Sequence, residues 1–193
     1  MFMEIFDGLM LSDGGLTKPY KNALYNHSCK HIEYLYYLKN LMAQSNIYCS
    51  EKTPYTYTHK KNGAVYHVLI SRRFEYLTQQ YYRWYPNRIK TVPKDLVITP
   101  NVMRHWYYGD GHLGSSHGKR NHIVLYTNGF TDNDREILQI KLQEKGWISS
   151  VMSEGRLYIG KTYFESVLEY IDPCTVSCFQ YKYRKDHDIV LSA

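Results

Sequence analysis

Gly8-Leu9-Met10-Leu11-Ser12-Asp13-Gly14 and His105-Trp106-Tyr107-Tyr108-Gly109-Asp110-Gly111 are one short pattern written twice, half a chain apart. In each, an apolar helix runs up to an acid, and glycine follows as the stop signal. Pro100, with Thr99 as a cap, opens the second of these helices. An isolated Asp-Gly at a helix end reads as a turn. Two of them at equivalent places in a chain of 193 residues imply a duplicated unit.

The rest of each half agrees. In the first, Ser28 is the expected cap of a helix whose apolar positions Ile32, Leu35, Leu38 and Leu41 recur at helical spacing. In the second, Thr131 is the cap, Asp134 holds the capping-box position, and Ile137, Leu138 and Leu142 lead to a stop at Gly146. Alternating residues Tyr55–His59 and Val65–Ile70 flank Asn62-Gly63, a strong hairpin signal; Ile148–Met152 and Arg156–Ile159 flank Glu154-Gly155 in the same way. A closing helix follows each hairpin. It is built on Phe74, Leu77, Tyr81 and Trp84 before Pro86, or on Phe164, Val167, Leu168 and Ile171 before Pro173. With short strands around Leu16–Tyr25 and His112–Tyr126, the expected order is αββαββα, twice. The expected fold class is α+β with two pseudo-symmetric halves, 1–97 and 98–193, forming one compact unit.

Composition narrows the partner. Lys and Arg number 24 against 18 acids, a balance of +6, and there are 21 tyrosines. A basic surface with many flat hydrogen-bonding rings points to nucleic acid. The hydrophobic fraction of 44% is enough for a core, which excludes wholesale disorder. No apolar run approaches the roughly 20 residues of a membrane span. The N-terminus lacks a secretory pattern, so the expected location is intracellular, with organellar, bacterial and phage settings all open. Cys29, Cys49, Cys174 and Cys178 lack paired CxxC spacing, and His27, Cys29 and His31 make a poor zinc set; reduced thiols are expected.

The residues around the two acids resemble a known family. The chain is similar to single-chain LAGLIDADG homing endonucleases over nearly its whole length. Gly8–Gly14 resembles the first signature helix, and His105–Gly111 resembles the second, which often carries an aromatic pair before Asp-Gly. Lys90-Thr91-Val92-Pro93, followed by Thr99-Pro100, resembles the segment leading into the second motif, and Tyr181-Lys182-Tyr183 resembles the basic position near the C-terminus. There are departures. Phe6-Asp7 replaces a small or aliphatic pair, Arg104 enters the second helix, and Ser12 and Gly109 stand where a further acid is common.

The chemistry follows from the residue types. Gly8 and Ser12 are small and share one helix face, and Gly109 offers the same on the other helix, so the helices can pack closely; His105 is the less comfortable neighbour. Asp13 and Asp110 would then meet at two helix C-termini, each already carrying about half a negative charge. That arrangement needs hard cations with oxygen ligands, which describes Mg²⁺, with Mn²⁺ able to substitute. The resemblance implies that the backbone carbonyls of Ser12 and Gly109 complete the metal shell. It also implies that Lys90 and Lys182 orient water or offset charge on the reacting phosphate. The activity implied is site-specific double-strand DNA cleavage at a long asymmetric target with short 3′ overhangs. Two alternatives stand beside it: an RNA maturase that assists splicing of an intron RNA, and a cleavage-deficient DNA-binding protein. No obligate protein partner and no membrane partner is expected.

The resemblance implies that two sheets make a saddle over the major groove, whose strands read base edges while basic loops hold phosphates. The candidate DNA-binding residues are Tyr55, Tyr57, His59, Lys60, Lys61, His67, Arg72, Lys119, Arg120, His122, Arg156 and Lys161. His112 and His117 flank the second acid. Tyr34, Tyr36, Tyr37, Tyr76, Tyr81 and Tyr82 lie on helices and are expected as packing residues.

Overall fold

The computed structural model describes residues 2–61, 63–116 and 119–183. The first half runs α1 (Phe2–Leu11), β1 (Gly14–Thr17), β2 (Leu24–Cys29), α2 (Ile32–Gln44), β3 (Tyr55–Thr58), β4 (Val65–Ile70) and α3 (Glu75–Trp84). The second repeats the order with α4 (Pro100–Asp110), β5 (Gly111–Ser116), β6 (Lys119–Leu125), α5 (Asp132–Gln143), β7 (Ser149–Val151), β8 (Leu157–Ile159) and α6 (Phe164–Tyr170). A short 3-10 turn, Ser177–Lys182, follows. Each half holds one four-stranded antiparallel sheet, ordered β1-β2-β4-β3 and β5-β6-β8-β7. The fold is α+β.

Helices α1 and α4 pack against each other at the centre. Both are buried along most of their length, with little solvent face. Phe2, Ile5, Phe6, Leu9, Met10 and Leu11 are buried on one, and Val102, Met103, Trp106, Tyr107 and Tyr108 on the other. A side chain at Gly8 would run into the carbonyl of Val102, so glycine is needed for the helices to come this close.

The departures at the first and second motifs have structural work. Asp7 takes both guanidinium nitrogens Nη1 and Nη2 of Arg83, at 2.6 and 3.0 Å, and accepts from Trp84 Nε1 at 3.1 Å, which ties α3 to α1. Arg104 donates to the carbonyls of Ile171 and Asp172 at 2.7 and 3.2 Å, fixing the end of α6 to α4.

Capping follows the sequence reading in the second half. Thr131 and Asp134 form the reciprocal capping box, and Asp134 also accepts from Val92 N at 2.8 Å, which anchors the inter-half segment. Thr99 caps α4 through Val102 N. Ser28, however, is not a cap. Strand β2 continues through it, pairing Ser28 with Val68, because alternate residues Tyr25, His27 and Cys29 are buried. The N-cap of α2 is His31, without a side-chain capping bond.

The ladders also sort residues by face, since directly paired residues share a side. In the first sheet Tyr25, His27, Cys29 and Leu69 face the helices. Tyr55, Tyr57, Tyr66, Val68, Ser28 and Asn26 face the other way. In the second, Leu113, Ile123, Leu125 and Ile159 face the helices, opposite His112, His122, Val124 and Tyr158. Among the helix tyrosines, Tyr34 is fully buried, whereas Tyr36, Tyr76 and Tyr82 are exposed and do not serve packing as expected.

Candidate active site and nucleic-acid interface

The close contact of α1 and α4 ends at the two acids. A Cβ on Gly109 would stand 2.7 Å from Ser12 Oγ and 3.3 Å from Asp13 Oδ2, so the chains touch where only glycine fits. Ser12 returns its hydroxyl to the carbonyls of Gly8 and Leu9 at 3.1 and 3.2 Å, which keeps the side chain folded against its own helix. Asp13 and Asp110 therefore emerge side by side from two helix C-termini.

Each C-terminus receives one lysine. Lys90 Nζ donates to the carbonyls of Ser12 at 3.3 Å and Gly14 at 2.8 Å. Lys182 Nζ donates to Tyr107, Tyr108 and Gly111 at 3.0, 2.6 and 2.7 Å, and makes a long contact to Gly109 at 3.5 Å. A cation on the last carbonyls complements the helix dipole and satisfies groups that have no partner within the helix. The carbonyls of Ser12 and Gly109 carry the longest of these contacts and so are the least committed to the lysines.

The charges are poorly matched at this spacing. Burial pushes the Asp110 carboxyl up to about 7; the neighbouring Asp13 charge adds to the rise, and Lys90 and Lys182 oppose it. Asp13, open at the groove mouth but surrounded by protein below, is also raised by burial, against the pull of Lys182 and Lys90. Both lysines are lowered to about 8 by burial, with the two carboxylates resisting. The two ammonium groups relieve the carboxylate pair only in part, because their hydrogen bonds go to carbonyls rather than to the carboxylates. A doubly charged ion with oxygen preference fits this donor set: two carboxylates, adjacent backbone carbonyls and no competing sulfur or imidazole on them.

Beneath the acids two buried histidines are held neutral. His27 and His105 are each lowered to about 3, chiefly by burial, and pair with Tyr25 Oη at 2.8 Å and Tyr34 Oη at 2.6 Å. His105 occupies the place that Gly8 holds in the first motif. It is accommodated by stacking on Tyr34 and Tyr37, with ring centroids 5.8 and 6.0 Å apart.

The candidate nucleic-acid residues fall into groups. Tyr55 and Tyr57 are exposed, on the sheet face away from the helices, and His59 continues their line, with its ring 6.3 Å from Tyr66. Lys60 and Lys61 are exposed at the hairpin tip. On the equivalent face of the second sheet, His122 packs over Gly114 and against Tyr158, with centroids 5.0 Å apart. Lys119 is exposed at the strand tip, and Lys161 in the turn after β8. Arg156 lies 5.9 Å from the Tyr126 ring centroid and pairs loosely with Glu154. Arg120 donates to the Tyr181 carbonyl at 2.9 Å, and Arg72 forms an exposed ion pair with Glu51 at 3.3 Å.

His67 requires correction. It pairs with Cys29 and Thr56, shares their side, and bonds Thr56 Oγ1 at 2.8 Å, so it points to the helix side, opposite Tyr55 and Tyr57. The residue on the same face as Tyr55 and Tyr57 is Tyr66, stacked on Tyr57 with centroids 5.8 Å apart. Tyr66 and Tyr158 share these faces and were not among the candidates, and His112, already noted beside the second acid, stands with them; carrying the alternation from Tyr57 across the hairpin in register finds Tyr66. His117 lies outside the described residues.

Comparison with known proteins agrees with this geometry. Residues 3–166 match the model of the LAGLIDADG DNA endonuclease family. An uncharacterised protein of Methanocaldococcus jannaschii is 34% identical over 143 residues, which is 71% of this chain and 53% of that protein. The chain thus spans about half the length of this curated relative. The homing endonuclease I-WcaI bound to its DNA recognition sequence is similar in structure, with TM-score 0.84 at 22% identity, covering 96% of this chain and 86% of that one. I-DmoI in complex with DNA and Mn gives TM-score 0.55 at 12% identity over 88% of this chain and 95% of that one. The N-terminal LAGLIDADG domain of WhiA gives 0.57 at 12% identity, covering 89% and 82%. At these identities the structural likeness shows the fold alone. The family match covers most of the chain, and the chain belongs to the LAGLIDADG DNA endonuclease family.

Proposed function

We propose that this chain is a site-specific endonuclease that cuts both strands of duplex DNA with Mg²⁺, or Mn²⁺ in its place, and leaves short 3′ overhangs at a long asymmetric target. The observation that carries this reading is the pair Asp13 and Asp110 at two converging helix ends, with Asp110 held at about 7 by burial and then by the Asp13 charge, against the pull of Lys90 and Lys182. Asp13 and Asp110, with the carbonyls of Ser12 and Gly109, would bind the metal. Bound there, it supplies activated water and stabilises the leaving 3′ oxygen. Lys90 and Lys182, each seated on one motif helix, would place an ammonium beside one scissile phosphate, a task suited to a point charge. The halves 1–97 and 98–193 would each present one sheet face to the DNA.

On those faces Tyr55, Tyr57, Tyr66, His59, His112, His122 and Tyr158 would meet base edges. Lys60, Lys61, Arg72, Lys119, Arg120, Arg156 and Lys161 would hold phosphates. The test is selection of cleaved sites from a randomised duplex library with Mg²⁺, repeated with Asp13→Asn and Asp110→Asn. A single long consensus cut by the parent and bound but uncut by both variants is the expected outcome. No consensus, or cutting that survives both substitutions, would overturn the reading.

A further inference from the structure

The fold brings together a set of soft and nitrogen ligands that the sequence keeps far apart. Among the described residues, His31, Glu33 and Cys178 place an imidazole nitrogen, a carboxylate oxygen and a thiol sulfur within 4.8 Å of one another. His31 and Glu33 stand at the start of α2, in the first half, whereas Cys178 belongs to the 3-10 turn Ser177–Lys182.

Several details make this more than chance proximity. His31 is the N-cap of α2 but makes no side-chain capping bond, so its ring is not consumed by the helix. The ring is held instead by edge contact with Phe179, at 5.1 Å between centroids, which fixes it next to Cys178. Cys29 donates its thiol to the His31 carbonyl at 3.2 Å and steadies the backbone of the same residue. His31 also lines a cavity of about 210 Å³ that reaches Asp13, Tyr34, Tyr181 and Lys182.

We propose that His31, Glu33 and Cys178 form a zinc site that clamps the start of α2 to the 3-10 turn carrying Lys182. A thiolate, an imidazole and one carboxylate suit Zn²⁺ and not Mg²⁺, and water completes a tetrahedral shell. With metal–ligand bonds of about 2.0–2.3 Å, tetrahedral ligands stand roughly 3.5 Å apart, so the three groups need to close by about 1 Å. Glu33 is exposed and free to swing that far. The clamp is a positioning device. Lys182 lies one turn beyond Cys178, and its hold on the α4 carbonyls depends on that turn staying docked.

The test uses the full chain, stripped with chelator and titrated with Co²⁺ and then Zn²⁺. One Co²⁺ per chain should give the near-ultraviolet thiolate-to-cobalt charge-transfer band, which Zn²⁺ should bleach; cobalt on Asp13 and Asp110 gives no such band. Cys178→Ser and His31→Gln should each abolish the band, while Asp110→Asn and Cys49→Ser should keep it. Zinc should raise the melting temperature of the parent and leave that of Cys178→Ser unchanged. If Cys178→Ser fails to fold, His31→Gln and Glu33→Gln decide. A band that survives Cys178→Ser or His31→Gln, or no zinc uptake at micromolar concentration, would overturn the proposal.

Discussion

Replacing Asp110 with Asn should make the metal-free protein more stable while abolishing the proposed DNA cleavage. The fold holds this carboxyl at about 7 against an ordinary 3.8, chiefly through burial and then through Asp13. At 1.36 kcal/mol per tenfold, that disfavours the ionised form by ~4 kcal/mol. Solvent at the groove mouth screens part of this, leaving about 2 kcal/mol that an uncharged amide recovers. For a chain of this size 1 kcal/mol moves the melting temperature by about 2–4 °C, so a rise of about 4–8 °C is expected at pH 8 in EDTA.

The sign can be checked by pH. A carboxyl raised on folding contributes stability that is fully present below the unfolded value of 3.8 and lost as pH rises through about 7. The gap between parent and variant should therefore be widest at pH 8, narrow on acidification, and close below pH 3.8. Calorimetric melts of both proteins over that range, with and without Mg²⁺, are the assay. Added Mg²⁺ should raise the parent's melting point and scarcely move the variant's. An Asp110→Asn protein that melts at or below the parent at pH 8 in EDTA would refute the reasoning, since the charge would then already be well paired.

Four further outcomes are expected. Gly109→Ala puts a methyl into Ser12 and should cost about 1–3 kcal/mol of stability by overpacking, while weakening Mg²⁺-dependent stabilisation; unchanged melting would mean the helices are not in contact there. Affinity for a cognate duplex should fall with salt at a log–log slope near −9 if about ten phosphates are contacted, and a flat response would remove the sheet faces as a DNA surface. His27 and His105, both lowered to about 3, give stability that is present above 6.5 and lost as pH falls toward 3. In the Asp110→Asn protein, melting should accordingly drop below pH 6.5, and His105→Gln should shallow that drop. Lys90→Met and Lys182→Met should each slow one strand by roughly a hundredfold, ~3 kcal/mol, with opposite strand preference, read on end-labelled duplexes; equal slowing of both strands would break the one-lysine-per-strand assignment.

What the sequence made legible was whatever is encoded locally. Apolar periodicity and helix-stop glycines marked α1 and α4, and the repeat spacing paired Asp13 with Asp110. Lys90 and Lys182 could be paired because they recur at equivalent places, and each is now found on carbonyls at the end of one motif helix or just beyond it. Contacts between distant segments left no local trace. Nothing near Asp7 announces Arg83, and nothing near Arg104 announces the end of α6. His67 was misread because an alternating strand shows two faces without saying which is covered; only pairing with Cys29 and Thr56 settles it. Ser28 was misread because a good capping residue is also tolerated in a strand, and three buried alternate neighbours outweigh one capping bond.

The same distinction explains why two similar halves are not interchangeable. At equivalent positions stand Gly8, which admits the Val102 carbonyl, and His105, whose imidazole fills the corresponding space. The imidazole is turned instead into Tyr34 and Tyr37 of α2, and Tyr108 stacks on Phe179 with centroids 4.4 Å apart. The first half thereby lends its helix α2 to the aromatic cluster around the second motif. Lys182 is buried and Asp110 half-buried, whereas Lys90 is half-buried and Asp13 exposed, and it is Asp110 whose carboxyl is pushed up to about 7, by burial and then by the Asp13 charge. A candidate site built from two copies of one motif thus has a more buried side and a more open one. On the proposed function, that inequality would let the two strands of the target be cut at different intrinsic rates before any base contact is considered.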